Sequence, residues 1–443
     1  MDLILKKHQE EVVKHMIKRR GGMAIHSTGT GKTLTAVATA LTLLKKNIVE
    51  HVVFISPVSL QYNFVKTLAD VNNNKRLDIY IPDLHKRVSF YTIQGFVNKA
   101  GLCVNALLII DEAHNLRTRQ GKYFKQVMDC ARQADRVLLM SATPIVNRPS
   151  DIVNMVALMR GEEPIDMSDF YTIIKSKRAR EYLSGIFHFY ERSEKDADFP
   201  SMQIVEKFFP MPKKYEKLYD QVERGEAAGV EDFKEKNIKV FYNGIRRATN
   251  KIETASPKVM FVLDKIRKNP KKKYVIFSHF KNMGLEVIEK FLRDTLIGYK
   301  LIMGDIQKNK RDEAVELYNK NQINVLLISK AGGEGLDLKD TDVIIVMEPT
   351  WNYAVLHQVI GRGVRFKSHT GKHQKVVIYR LFLVREWEEK NIKRLVKNNE
   401  LVPPRDAPND LLSIDLFLRN YAMVKEKVNQ DFTDIMKKYK INK

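Results

Sequence analysis

Two short segments hold the residue types that nucleotide hydrolysis needs: His26-Ser27-Thr28-Gly29-Thr30-Gly31-Lys32-Thr33 and Asp111-Glu112-Ala113-His114. A glycine-bearing loop that opens a helix points its backbone N–H groups at phosphate oxygens, where the helix dipole also favours negative charge. Gly29 and Gly31 let the backbone come close, and Thr28 and Thr30 complete the loop. Lys32 can reach the β- and γ-phosphates, and the Thr33 hydroxyl can ligate Mg²⁺. Asp111 would complete the metal shell, which leaves Glu112 to orient and polarise the attacking water. Together the segments imply ATP and Mg²⁺ as cofactors and hydrolysis as the reaction. The generic loop has glycine where this chain has His26, and His26 is read as a filler beside the loop.

These groups need a sheet to hold them. The apolar runs Met23–Ile25, Val52–Ile55, Leu107–Ile110 and Val137–Met140 alternate with helix-period stretches, which predicts a parallel sheet buried on both faces. Each run ends in a polar loop, at the carboxyl edge where such sheets bind ligands. Residues 160–255 lose that rhythm and are charged and helix-rich, as in Lys213–Arg224 and Glu231–Lys251; they read as a mostly helical insertion. The rhythm restarts at Ser256-Pro257-Lys258, with strands at Tyr274–Phe277, Val325–Ile328, Val343–Val346 and Val376–Tyr379. The expected α/β architecture is two tandem lobes, 1–159 and 256–400, around a 160–255 insertion, with a short helical appendix over 401–443 docked on the second lobe. The second sheet has no phosphate loop, so two independent ATPases are not expected.

The 443 residues are 44% hydrophobic, enough for substantial cores, and carry a formal net charge of +23. That charge is concentrated, at about +10 in each expected lobe and near zero in the insertion. It points to a polyanionic partner. The only cysteines, Cys103 and Cys130, form no paired framework and no metal-ligand spacing, and are read as reduced thiols of an intracellular protein, cytoplasmic or nuclear. No run approaches the about 18 apolar residues of a membrane span, and Met1–Lys7 lacks a signal-peptide core. A soluble protein is expected.

Beyond the phosphate loop, residues from Leu5 to Lys393 resemble the superfamily 2 helicase-like ATPases. Gln9 looks like the adenine-reading glutamine upstream of the loop. Ser56-Pro57-Val58-Ser59-Leu60 and Ser89-Phe90-Tyr91-Thr92 look like strand-tracking loops, and Ser141-Ala142-Thr143-Pro144 like the motif that couples hydrolysis to lobe movement. Ser329 through Leu338 and Gln358-Val359-Ile360-Gly361-Arg362-Gly363-Val364-Arg365 look like the last two motifs. Ser256-Pro257-Lys258, Ala331-Gly332-Gly333 and Trp351-Asn352 resemble the SWI/SNF-like branch. His26, the stretch Ser141–Asp151, and Gly361–Arg365 followed by Ser368-His369 resemble the DNA-dependent ATPases of large DNA viruses.

The resemblance implies two RecA-like lobes, with Arg362 and Arg365 as guanidiniums acting on the γ-phosphoryl group; three residues apart on a helix, they share a face. It implies nucleotide contacts at Gly335 and Asp337, coupling roles for His114, Ser141, Thr143 and Gln358, and nucleic-acid contacts at Pro57, Ser59, Thr92, Ser329 and Lys330. Trp351 and Phe366 are read as core aromatics. The expected activity is ATP-driven translocation on double-stranded DNA, in viral transcription or genome handling, with transcription machinery as a partner. A strand-separating DNA or RNA helicase remains open, as does an ATP-switched accessory transcription factor without motor activity.

Overall fold

The computed structural model describes residues 5–74, 80–96, 100–118, 123–191, 199–225, 238–330, 336–364, 368–369 and 375–441. The chain divides into two compact units, Met1–Ser193 with Lys427–Lys443, and Glu194–Glu426.

The first unit is built on strands β1 (Gly21–His26), β2 (His51–Ile55), β3 (Val88–Tyr91), β4 (Ala106–Asp111), β5 (Arg136–Ser141) and β6 (Phe187–Tyr190). They lie in the order β3-β2-β4-β5-β1-β6, and every pairing is parallel. Its helices are α1 (Lys7–Lys18), α2 (Lys32–Lys45), α3 (Val58–Asn72), α4 (Leu84–Arg87), α5 (Phe124–Gln133), α6 (Ile152–Arg160), α7 (Met167–Ile174) and α8 (Ala179–Leu183). Alternate strand residues feed two cores. Val53, Ile55, Leu108, Ile110, Val137 and Leu139 enter one; Val52, Phe54, Leu107, Ile109, Leu138 and Met140 enter the other, with Val12 and Met16 of α1. A strand apolar at every position can only be stable covered on both sides, as parallel crossovers require.

The second unit repeats the plan with β7 (Ser201–Pro210), β8 (Tyr274–Phe277), β9 (Tyr299–Ile302), β10 (Val325–Ile328), β11 (Val343–Val346) and β12 (Lys375–Val384). The order is β7-β12-β11-β8-β10-β9, again all parallel. Around it are α9 (Lys213–Glu223), α10 (Ile238–Ala248), α11 (Pro257–Lys268), α12 (Glu286–Arg293), α13 (Lys308–Asn319), α14 (Tyr353–Gly363), α15 (Glu386–Lys390) and α16 (Ile392–Lys397), followed by α17 (Ile414–Lys438).

Three expectations change. Residues 160–255 hold the helices α7 to α10, but among the described residues they are not mostly helical, and they supply the last strand of the first sheet and the first of the second, with the division between units at Ser193/Glu194. Both are edge strands, and β7 is exposed along Ser201–Ile204, so neither carries the apolar run of a central strand. The appendix is not short: α17 has 25 residues, and those from Lys427 onward belong to the first unit. There Phe432 and Met436 enter the core, and Ile441 N–H donates to the Phe187 carbonyl at 2.8 Å. Cys103 and Cys130, read as reduced thiols, are joined in a disulfide. They lie 27 residues apart, and the packing of α5 on the turn Ala100–Cys103 brings them together. Among the described residues, no helix is long and apolar enough to cross a membrane.

Candidate ATPase site

Strand register gathers the first unit's predicted residues at one edge. Ile25 of β1 pairs with Ser141 of β5, and Met140 pairs with Asp111 of β4, so the phosphate loop, Asp111-Glu112 and Ser141 leave neighbouring strands at their carboxyl ends. The loop from Ser27 to Gly31 then turns into α2, whose first turn carries Lys32 and Thr33. Gly29 and Gly31 have φ of +81° and +87°, the left-handed region where a side chain is strained. A Cβ on Gly31 would also meet the Gln9 amide nitrogen at 2.6 Å.

The loop is tied internally and to α1. Lys32 Nζ donates to the His26 carbonyl at 3.0 Å, and Thr30 Oγ1 to the Ser27 carbonyl at 2.7 Å. Gln9 Nε2 donates to the Gly31 carbonyl at 3.3 Å, while its Oε1 accepts from Lys6 N–H at 2.9 Å. Gln9 is thereby placed against the loop. Thr28 and Thr33 are half-buried on it.

Asp111 is buried and accepts from the Glu112 N–H at 2.9 Å. Its carboxyl is pushed up to about 7, chiefly by burial and then by the neighbouring Glu112, against the opposing pull of Lys32. A divalent cation would supply the positive charge that such a buried carboxylate needs. Glu112 sits at φ +52°, a left-handed backbone at a non-glycine residue, which is a strain typical of functional positions. Its Oε2 lies 3.3 Å from His114 Nδ1. The same Nδ1 is 3.1 Å from Ser141 Oγ, which accepts from Thr143 N–H at 3.1 Å. Glu112, His114, Ser141 and Thr143 thus form one polar chain linking the ends of β4 and β5.

Pro57 caps α3 directly after β2, with Ser59 in that helix's first turn, and Thr92 follows β3, its Oγ1 accepting from Gly95 N–H. All three lie at the carboxyl edge of the first sheet.

In the second unit, Ser329, Lys330, Gln358 and Arg362 line one narrow cleft with Phe277, at the ends of β8 and β10 and along α14. Asp337 is exposed, and its carboxylate pairs with Lys339 at 3.3 Å. Arg365, Phe366 and Gly335 lie outside the described residues. Trp351, expected in the core, is 36% exposed and meets Tyr421 edge-on.

Sequence reasoning missed two clusters. Glu348, beyond β11, is fully buried and accepts from Ser278 Oγ at 2.7 Å and His279 N–H at 2.9 Å; His279 is held down to about 3 by burial, then by Arg246 and Lys330. In the first unit, His8, His26 and His188 meet beside the phosphate loop. The one available signal was His26 itself, a bulky polar residue at a glycine position.

This fold and edge define a class, the helicase-type nucleotide hydrolases. Residues 2–146 match the family described as Type III restriction enzyme, res subunit, and residues 257–367 match Helicase conserved C-terminal domain. The chain is 30% identical over 425 residues to "Putative ATP-dependent RNA helicase L538" of Acanthamoeba polyphaga mimivirus, covering 88% of this chain and 91% of that protein. It is 23% identical to "Termination factor NPH-I homolog" of African swine fever virus (isolate Pig/Kenya/KEN-50/1950), covering 79% and 67%. It is 25% identical to "Nucleoside triphosphatase I" of Choristoneura fumiferana entomopoxvirus, covering 77% and 67%. The chain belongs to the superfamily 2 helicase-like ATPases, related to the NPH-I group of large DNA viruses. It is an ATP hydrolase of the nucleic-acid-binding helicase type.

Proposed function

We propose that the chain is an ATP-driven translocase on double-stranded DNA, acting in viral transcription or genome handling. The observation that carries the ATPase half is the polar chain Glu112–His114–Ser141–Thr143 beside Lys32, because it joins the water-activating carboxylate to a loop able to report the nucleotide state. Lys32 binds the phosphates, and Glu112 orients and polarises the attacking water. Asp111 and Thr33 would hold Mg²⁺, which when bound neutralises charge on the β- and γ-phosphates. Arg362 and Arg365 supply guanidinium to the transferring phosphoryl group, worth about 10³–10⁵ in rate in related chemistries. Gln358 belongs to the same motif, Gly335 and Asp337 are proposed to contact nucleotide, and Gln9 to read its base. Pro57, Ser59, Thr92, Ser329 and Lys330 would track the strand.

The duplex-DNA reading rests on the SWI/SNF-like motifs, on the basic charge of both halves, and on relatives named for nucleoside triphosphatase and termination-factor roles. A second reading, an RNA helicase, is favoured by the name of the 30% identical mimivirus relative. The test is ATP turnover with no polymer, duplex DNA, single-stranded DNA and RNA, with binding followed against salt. Duplex stimulation independent of sequence is expected, with a log–log salt slope steeper than about −3 for several phosphates contacted. Stimulation by RNA alone would replace the translocase with the helicase. Indifference to every polymer would favour the ATP-switched accessory transcription factor without motor activity.

A further inference from the structure

A bulky side chain at the first position of a phosphate loop must be accommodated, and this chain surrounds His26 with polar groups. Ala24 pairs with His188 and His26 with Tyr190 across β1 and β6. Partners in parallel register share a face, so His26, His188 and Tyr190 all lie on the side that α1 covers. From α1, His8 stacks on Tyr190 with ring centroids 3.6 Å apart and donates from Nε2 to the Thr30 carbonyl, 3.2 Å away. His26 Nε2 is 2.9 Å from His188 Nδ1, and His188 Nε2 is 2.9 Å from Glu11 Oε2. His26 is fully buried and His188 is 5% exposed.

The protons in this chain can be placed. A carboxylate only accepts, so His188 carries a proton on Nε2, and as a neutral imidazole it presents a lone pair at Nδ1. That lone pair requires the proton of His26 to be on Nε2. His26 Nδ1 is then a bare acceptor, and it has no partner among the described residues. The backbone carbonyl of this same residue receives Lys32 Nζ. Burial, reinforced by His188, His8 and Lys32, holds His26 down to about 2, so it stays neutral beside the lysine. Apolar side chains would fill the space without the desolvation cost of two imidazoles. The relay therefore calls for a role beyond packing.

We propose that Glu11 and His188 are positioning residues for phosphate binding, locking the tautomer and orientation of His26 and through it the start of the loop and the seat of Lys32. The relay runs from α1 through the edge strand β6 to the loop. It rests on the reading of residues 26–33 as the phosphate site.

The test measures the KM and kcat for ATP of the intact chain, together with histidine ring ¹⁵N spectra, for wild type, Glu11→Gln, His188→Leu and Lys32→Ala. Glu11→Gln keeps volume at a partly exposed position and lets the relay reverse, so it remains informative should His188→Leu fold poorly. Wild-type His26 is expected in the Nε2–H form. In Glu11→Gln its spectrum should shift to a mixture of tautomers, and KM should rise about fivefold to tenfold, the loss of roughly one hydrogen bond, while kcat stays within about twofold. His188→Leu should raise KM at least as much. An Nδ1–H wild-type His26, or wild-type KM in both relay variants while Lys32→Ala abolishes ATP binding, overturns the relay alone. Wild-type ATP binding by Lys32→Ala would overturn the phosphate-loop reading, and the relay with it.

Discussion

Asp415→Ala should unfold the second unit early, and the cost can be worked from its contacts. Lys258 and Asp415 have fully buried side chains, with Nζ 2.7 Å from Oδ2. The ammonium also donates to Thr249 Oγ1 at 2.8 Å and the Met347 carbonyl at 3.0 Å, while Asp415 Oδ2 accepts from Leu383 N–H at 2.8 Å. The pair thus ties α11 and α17 to the sheet. Removing the carboxylate leaves a cation in the core, a loss of about 3–5 kcal/mol. The two remaining acceptors of Lys258 place the expectation near the lower end. At about 2–4 °C per kcal/mol for a unit of this size, melting should fall by roughly 6–12 °C, measured by scanning calorimetry of the intact chain. Replacing both partners, Lys258→Met with Asp415→Leu, removes the buried charge and should recover about 1 kcal/mol of that loss, the rest being the unmatched Leu383 N–H and Met347 carbonyl at about 1 kcal/mol each. A single variant within about 1 kcal/mol of wild type, or a double variant no better than the single, would refute the assignment of a buried ion pair.

Glu112→Gln should bind ATP like wild type yet lose most turnover, since only the water-polarising carboxylate is gone; normal turnover would remove Glu112 from that role. Ser141→Ala cuts His114 and Thr143 off from each other, so polymer-stimulated turnover should fall about tenfold, roughly the worth of one buried hydrogen bond, with less effect on ATP affinity. Equal losses in both would argue for a purely structural serine. His26 and His279 are held down to about 2 and about 3. Their folded values lie below the unfolded value near 6.5, so the stability they contribute is complete above about pH 6.5 and is lost as pH falls toward 3 and then 2. Each group contributes a slope of about 1.4 kcal/mol per pH unit in that window. Urea melts that stay flat between pH 6.5 and 4 would contradict the neutral burial.

Much of the core sheet was legible from local pattern. The runs at Leu107–Ile110 and Val343–Val346 are strands within a residue or two of expectation, because a segment apolar at every position has few stable places other than a doubly covered sheet. The segment 26–33 and Asp111-Glu112 stood out in the sequence because phosphate chemistry restricts residue type and spacing over a few positions. What their spacing could not contain is strand order. That Ser141 stands beside Ile25, and Met140 beside Asp111, follows from β5 lying between β4 and β1. Edge strands such as β6 and β7 were missed since one flank lacks a neighbour and the apolar signal weakens. Lys258 was noticed as a family marker, but its partner lies 157 positions away on α17; the Cys103–Cys130 pair and the Glu11–His188–His26 relay likewise join residues that no local window contains. Local sequence sets which elements form and which chemistry they carry, because both depend on neighbours along the chain. Buried pairings are decided by tertiary packing, because the cost of an unpaired buried polar group depends only on what the fold brings within about 3 Å of it.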